Sequence, residues 1–464
     1  MGSFENATDR VKEAIGVSEP VPKGGTKTPL DRRDRVCIIG AGPAGLATAR
    51  ALARNGLLYD QFERHEDVGG VWDIDSKYSN MYESAHLISS KNSTQFDDFP
   101  LPNEAADYPD HHTILIYFRE FAKKFGLYER IRFGVSIARV DRNGPEDWEV
   151  ELDTGEKYRY GAVCIANGHL NDPNWPKFSG QFEGEIFHSC DYRSSDIFAG
   201  KKVLVIGAGN SGCDIAVDAV HRAKSVHISM RRGYHVVPKY ILGVPAADFG
   251  SGSNRVKLPM WIKQRVDTAL LRTIAPDPRK YGIPEPDHKL YESHPIVNSQ
   301  LIYHLGHGDV KVQPNVERYE KNRVYFADGS SEDYDLVVVA TGYKLTFPFL
   351  DRKYFPWREN SKAPDLYLNI FHPDYDDLFV MGLIESDGGG WQIRDWQAEA
   401  VARFLVSKKE NPALASKFRT LKKGPSPDTT GGVDFSKFDR MAYYVRNSVY
   451  RDKIQELVAI FGTI

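Results

Sequence analysis

Thiols are scarce in this 464-residue chain: Cys37, Cys164, Cys190 and Cys213 are its four cysteines, with no CxxC pair and no metal-type spacing among them. That excludes a disulfide scaffold and a thiolate metal centre, and a reduced, intracellular protein is expected. Charge of one sign is scarce as well. A formal net charge of −3 leaves no basic footprint for nucleic acid. No run approaches the ~20 apolar residues that span a bilayer, and the opening MGSFENATDRVKEAIGVSEP has no apolar signal region. A membrane span is therefore not expected, and the cytoplasm is the expected location. Short tandem repeats and low-complexity blocks are missing too.

What is present is an ordinary globular balance, 41% hydrophobic and 27% charged, on a chain too long for one hydrophobic core. Two domains are the leading expectation, with three allowed. Residues 1–34 are polar and carry Pro20, Pro22, Gly24, Gly25 and Pro29, which predicts a weak helix followed by a surface arm. From Arg35 the pattern sharpens into strand RVCIIG, helix GPAGLATARALARNG closed by Gly56, and strand LLYDQFE. A second unit of this design starts at Lys201 with KKVLVIG, AGNSGCDIAVDAVHR and SVHISM. Between about 245 and 300, proline and charge break the rhythm, predicting a helical or loop insertion.

Further on, YDLVVVATGY and DLFVMGL read as buried strands, WQIRDWQAEAVARFLVSKK reads as an amphipathic helix, and the apolar QELVAIFGTI is expected on the core. The first unit needs later strands to finish its sheet, and the runs near 160–166, 334–340 and 378–382 are the expected donors. The predicted fold class is thus α/β with two dinucleotide-binding, Rossmann-like domains, the second inserted into the first.

Gly40, Gly42 and Gly45 form GxGxxG directly after a strand, with Ala41, Pro43 and Ala44 between them. Such glycines serve a tight turn, close approach of backbone to pyrophosphate, and helix-on-strand packing, while the helix start offers amides to phosphate. Glu63 ends the next strand, where a carboxylate accepts from ribose hydroxyls, and Arg64 follows it. Gly69, Gly70, Val71 and Trp72 then offer bare backbone and a flat apolar wall. A surface turn with one buried Trp is the plainer alternative, but after a complete dinucleotide unit a ligand is preferred, with FAD as the larger cofactor.

The second fingerprint is Gly207, Gly209 and Gly212, and Asn210, Ser211, Cys213 and Asp214 accompany it at the helix start. Where an NAD-selective site carries an acid, this chain has Ser229, Arg231 and Arg232. Cations there suit a 2′-phosphate. NADPH is therefore the favoured reductant; two arginines are also commonly just a solvated loop, so acceptance of NADH stays open. Thr341 and Gly342, in ATGY, suit a chain passing close to a cofactor, and GAVCIANG at 161–168 makes a similar strand end, so the two are read as crossings between domains. GGGWQIRDWQAEA, with Gln397, places a helix start after three glycines, either facing a flavin edge or following a flexible loop.

One further run, GQFEGEIFHSCDYR at 180–193, places Phe182, Gly184, His188 and Tyr192 in the spacing FxGxxxHxxxY between the two fingerprints. This resembles the fingerprint of flavin-containing monooxygenases, and GGVW, IGAGNSGCD and ATGY match in register over roughly residues 35–400. The resemblance implies an FAD-binding domain at 35–175 and 325–464, behind an extension at 1–34, and an NADP-binding domain at 176–324 carrying the 245–300 insertion. It implies FAD contacts at Gly40 to Ala44, Glu63, Val71 and Trp72, NADP contacts at Ser211 to Asp214, and Arg231 on the 2′-phosphate. O2 is the implied co-substrate: a flavin hydroperoxide passes one oxygen atom to the amine nitrogen or sulfide sulfur of a small molecule, or attacks a ketone in Baeyer-Villiger fashion. A homodimer is the expected assembly.

One position departs from the family. An ungapped match puts Ile88 where the family carries an active-site asparagine before a Ser-Lys pair; Asn92, His86 or Ser89 are the replacements a shifted loop would supply. The N-terminal extension resembles a bacterial subgroup that includes ketone oxidisers accepting either nicotinamide. Among rivals, flavin disulfide reductases need a redox cysteine pair that is missing, and N-hydroxylating enzymes match the histidine-bearing linker less well. A non-catalytic nucleotide sensor would keep both glycine loops without needing His188. That histidine is expected to be a linker residue, with Gly184 permitting a turn and the aromatics anchoring it, rather than a proton shuttle.

Overall fold

Ten residues, Leu30–Ile39, form the strand that anchors the first sheet, and the last four are apolar and buried. It runs parallel to Tyr59–Phe62 on one side and to Lys157–Ile165 on the other. Ile131–Arg132 extends the sheet outward beside Tyr59–Phe62, and Leu378–Val380 pairs in parallel with the upper half of Lys157–Ile165. The lower half carries an antiparallel flap, Asp147–Leu152 and then Ile137–Gly144. This computed structural model describes residues 20–249, 259–359 and 361–462. The helix expected near the start falls in residues 1–19, outside the described residues.

The anchoring strand begins at Leu30 rather than Arg35, so part of the expected arm belongs to the sheet. Its approach is fixed by Gly24 N–H donating to Glu156 at 2.7 Å and by the Tyr158 hydroxyl donating to Pro22 O at 3.0 Å.

The second sheet has five parallel strands in the order Val310–Gln313, Ser225–Ser229, Lys202–Ile206, Leu336–Val339, Glu185–His188. Leu336–Val339 was expected in the first sheet. It lies instead between two strands of the second, so the chain returns to the first lobe only after Ala340. An unbroken apolar run says that a strand is buried on both faces, not which sheet buries it. The two crossings between lobes, Asp172–Pro173 and Tyr343–Lys344, pair antiparallel with each other.

Helix Pro43–Arg54 is rich in alanine and buries nine of its residues, which lets it lie close against Trp391–Glu410. The latter helix was expected to be amphipathic. It is buried on most sides, because Asn447–Ile460 and Pro412–Lys422 cover what the first helix does not. Its polar residues are paired internally: the Arg50 guanidinium lies 2.6 Å from Asp98 and 2.5 Å from Asp395. Removing Arg50 would leave the Asp395 carboxylate without its partner, whereas removing either Asp leaves Arg50 paired with the other. The chain end packs on the core as expected, through Leu457, Val458 and Phe461. In the 245–300 segment, Met260–Ile274 is a helix and the rest of the described residues are mainly turns and short strands. No helix among the described residues is long and apolar enough to cross a membrane.

Candidate functional site: two glycine turns and the junction between them

The two fingerprints adopt the same turn, and their glycines divide into two kinds. Gly40 has φ +102° and Gly207 φ +107°, a region that side chains disfavour, and a Cβ would stand 2.6 Å from Ala166 O and 2.4 Å from Ala340 O. At Gly45 and Gly212 a Cβ would fall 2.0 Å from the carbonyl oxygens of Gly40 and Gly207 respectively. These four positions must be glycine for the fold to close. The middle glycines are different. A Cβ on Gly209 meets nothing within 4 Å, and one on Gly42 meets only Gly70 Cα at 3.6 Å. Nothing in the fold forbids a side chain there, so the bare backbone keeps space clear for something else.

Both middle glycines cap a helix start, and neither start has a side-chain cap. Amide groups and the positive end of the helix dipole therefore face that clear space. Elsewhere Asp110, Asn298 and Asn411 fill this role with side-chain oxygens. The arrangement has the steric room and the donor set that a dinucleotide pyrophosphate requires, twice.

Around the first turn, Glu63 is held rigidly, accepting from Ala41 N–H at 2.6 Å and His65 N–H at 2.9 Å. Gly69 N–H donates to Ala41 O at 3.1 Å, so Gly70–Trp72 lies against the turn. The Trp72 ring meets Trp391 edge-on at 6.1 Å. Arg64 stacks 3.8 Å over Tyr78 and donates to Asn171 Oδ1 at 3.0 Å, beside a cavity of about 550 Å³ walled by Leu345, Phe347 and Trp357.

Several expected ligand residues face the protein instead. Gln397 is fully buried, accepting from Gly382 N–H at 2.9 Å and donating to the Tyr450 hydroxyl at 2.7 Å. Gly382 in turn sits behind Ala44, where a Cβ would come within 2.8 Å, so Gln397 supports the turn from the rear. In the second fingerprint, Cys213 points into the core and burial pushes its thiol up. Asp214 accepts from Tyr82 at 2.9 Å and Asn298 at 2.6 Å, and burial raises its carboxyl. One turn into the helix, these two positions rotate away from the open end. Asn210 accepts from Val297 N–H at 2.9 Å, while Ser211 stays exposed. Ser229 turns inward and donates to Pro314 O at 2.6 Å. Arg231 is exposed, whereas Arg232 lies among aromatic rings.

The segment around Ile88 does not gather the expected replacements for an asparagine. Ile88 is half-buried, Ser89 is 2.6 Å from the Thr94 hydroxyl, and His86 is exposed with Nδ1 2.8 Å from Ser84 O. Asn92 is exposed and donates to Asp248 at 3.2 Å. Two of the three glycines before Trp391 are closely packed: a Cβ on Gly389 would meet Ser93 O at 2.0 Å, and one on Gly390 Arg394 Nη1 at 2.0 Å.

His188 ends the strand beside the crossings, with no exposed surface. Nδ1 accepts from Cys190 N–H at 3.2 Å, so Nε2 carries the proton and donates to Gly342 O at 3.1 Å. Burial lowers its pKa and keeps the ring neutral. Thr341 donates to Asn174 O, and Asn174 N–H to Gly342 O at 2.9 Å, so both crossings and the linker share one small network. Gly184 is glycine for room, not for a turn: a Cβ would strike the Phe182 ring at 2.7 Å.

Sequence reasoning missed a polar cluster at the junction. His169 Nε2 lies 2.9 Å from Glu385, whose other oxygen accepts from Arg440 at 2.7 Å. Burial alone would raise Glu385, but Arg440 and His169 more than offset it and hold the carboxyl well below its usual range. These residues come from three distant stretches without any shared spacing, so no local signal marked them.

The chain matches the flavin-binding monooxygenase-like family model over residues 33–446. It is 30% identical to flavin-containing monooxygenase 5 of Cavia porcellus, over 92% of this chain and 83% of that one. Cyclohexanone monooxygenase from Rhodococcus sp. Phi1, solved bound to NADP+, superposes with a TM-score of 0.67 at 20% identity, covering 93% and 98% of the two chains. S-allyl-L-cysteine S-oxygenase from Allium sativum gives 0.62 at 22% identity, covering 93% and 89%.

Proposed function

Since the chain belongs to the flavin-binding monooxygenase-like family, we propose that its two glycine turns hold FAD and NADPH and that it oxygenates the amine nitrogen or sulfide sulfur of a small organic molecule. It is a flavin-dependent monooxygenase using FAD, NADPH and O2. FAD held there would take two electrons from NADPH and supply the chemistry that splits dioxygen, one oxygen atom going to the substrate and the other to water.

The residues of this chain bind, orient and shield. In this reading the amides of Gly42 and Ala44 receive the FAD pyrophosphate, since Gly40 N–H is bonded to Phe62 O and Ala41 N–H to Glu63, and Glu63 takes the ribose hydroxyls, its carboxylate already fixed by two backbone donors. The amides from Gly209 to Ser211, at the uncapped helix start, receive the NADPH pyrophosphate and Arg231 its 2′-phosphate. Trp72, packed on Trp391, helps exclude water from the first site. His188 holds the crossings in register and moves no proton. The observation that carries this reading is the unobstructed space at Gly42 and Gly209, beside obligatory glycines on either side.

Ketone oxidation is the second reading, supported by the N-terminal extension and by the fold shared with cyclohexanone monooxygenase. A cytoplasmic location belongs to the same proposal and is supported by four free cysteines; a homodimer is the assembly light scattering would test. The decisive experiment reduces the yellow protein with NADPH without oxygen, then admits oxygen with one sulfide, one tertiary amine and one cyclic ketone. Oxygenated product matching the NADPH consumed is expected. Stoichiometric hydrogen peroxide with no product would refute the reading and leave an oxidase.

A further inference from the structure

We propose that Phe438 is a positioning residue for nicotinamide specificity: it clamps Arg232 from outside the second lobe and so fixes the loop that presents Arg231 to a 2′-phosphate. This rests on the reading that the second glycine turn takes NADPH.

After Ser229 turns inward, Met230 is buried and Arg231 emerges into solvent with no ion pair to any described residue. Arg232 does the reverse. Its guanidinium carbon lies 3.2 Å from the centroid of the Phe438 ring and 4.8 Å from that of Tyr234, and Nη2 is 3.4 Å from Ser293 Oγ. Nε and Nη1 are shut off from solvent with no hydrogen-bond partner among the described residues. A buried guanidinium with unfilled donors persists only where its surroundings hold it, and aromatic faces on a cation supply that hold here. Released, Arg232 would leave the backbone beside Arg231 free to turn. Clamped, it fixes the backbone one residue from Arg231.

Phe438 belongs to a segment that arrives from elsewhere. Residues 429–446 join helix Pro412–Lys422 to Asn447–Ile460, both packed with the first lobe. The segment is pinned at two places. Ser436 N–H donates to Glu292 O at 2.7 Å, and the Tyr444 hydroxyl lies 3.2 Å from His294, both within the 245–300 insertion. On the first lobe, Arg440 holds Glu385 and Arg446 lies 2.6 Å from Asp387. Phe438 stands between these anchors, so a first-lobe strap reaches over the loop at the far end of the second nucleotide turn.

The test is calorimetric titration of FAD-loaded protein with adenosine 2′,5′-bisphosphate and with 5′-AMP, which differ by the 2′-phosphate alone. Phe438→Leu keeps apolar bulk but removes the ring, and should weaken the bisphosphate by about five-fold or more while 5′-AMP stays within about two-fold; Phe438→Tyr should restore the wild-type ratio. Unchanged flavin content shows that the variants are folded. Equal loss of both nucleotides, or loss of neither, would overturn the role of Phe438. Wild-type protein that binds neither nucleotide would overturn the coenzyme reading itself, and the clamp with it.

Discussion

Alanine at Gly209 and alanine at Gly212 should fail in opposite ways, although the two positions are three residues apart. Gly209 has φ −72° and ψ 176°, which alanine adopts freely, and its Cβ would enter empty space. The substitution removes about 0.4–1 kcal/mol of unfolded-chain freedom, offset by alanine's poorer performance at a helix start, so the melting temperature should barely move. The methyl group does stand where a pyrophosphate must approach. Displacing the phosphates from two charge-assisted amide bonds at ~1.5–3 kcal/mol each loses roughly 3–6 kcal/mol, an affinity loss of at least about 100-fold. At Gly212 the new Cβ would lie 2.0 Å from Gly207 O and 3.2 Å from Ala340 Cβ, so helix and strand must part. Such overpacking costs about 1–3 kcal/mol or more, and the second lobe should melt several degrees lower. The assay is a thermal melt of FAD-loaded protein with an NADP+ titration at fixed salt. Wild-type NADP+ affinity in Gly209→Ala, or melting behaviour like that of Gly212→Ala, would refute the division of the glycines.

Replacing His188 with Ala strands the Cys190 N–H at about 1–3 kcal/mol and leaves Gly342 O with Asn174 N–H alone; stopped-flow reduction by NADPH should slow while FAD content holds, and normal kinetics would contradict the linker role. His372 is 4% exposed, and burial lowers its pKa from 6.5 to about 4. The unfolded chain therefore takes up this proton first, stability falls as pH drops from about 6.5 to 4, and the full loss is about 3 kcal/mol. His372→Gln should flatten that acid limb in urea titrations; an unaltered slope would count against it. Because the Asn92 amide is held by Asp248 at the surface, Asn92→Ala should leave both the melting temperature and the ratio of oxygenated product to NADPH consumed at their wild-type values. A drop in that ratio would restore Asn92 as a replacement for the family's asparagine.

How far the sequence was legible depended on whether a feature is local. The glycine turns were readable because their chemistry is backbone chemistry at fixed spacing. The inward turn of Cys213, Asp214, Ser229 and Gln397 was not, since what holds or buries them comes from remote segments: Tyr82 and Asn298 for Asp214, Pro314 for Ser229, Tyr450 for Gln397. Helix Trp391–Glu410 misled for a related reason. It reads as amphipathic, yet Arg394 donates to Ile384 O at 3.1 Å and Asp395 pairs with Arg50. Leu336–Val339 announced burial without announcing its neighbours. The cluster of His169, Glu385 and Arg440 exists only once three stretches have folded together.

The paired crossings at Asp172–Pro173 and Tyr343–Lys344 have a consequence for how this molecule can be rebuilt. Their antiparallel pairing brings the entrance and exit of everything between them to within one ladder spacing, about 5 Å. A segment whose ends meet can be lifted out and closed with a short linker, or exchanged for another of the same kind, without stretching the host chain. The 174–342 stretch therefore leaves and re-enters the chain at one seam, and exchanging it would also mean rebuilding the contacts that Phe438 makes with Arg232 and Tyr82 with Asp214.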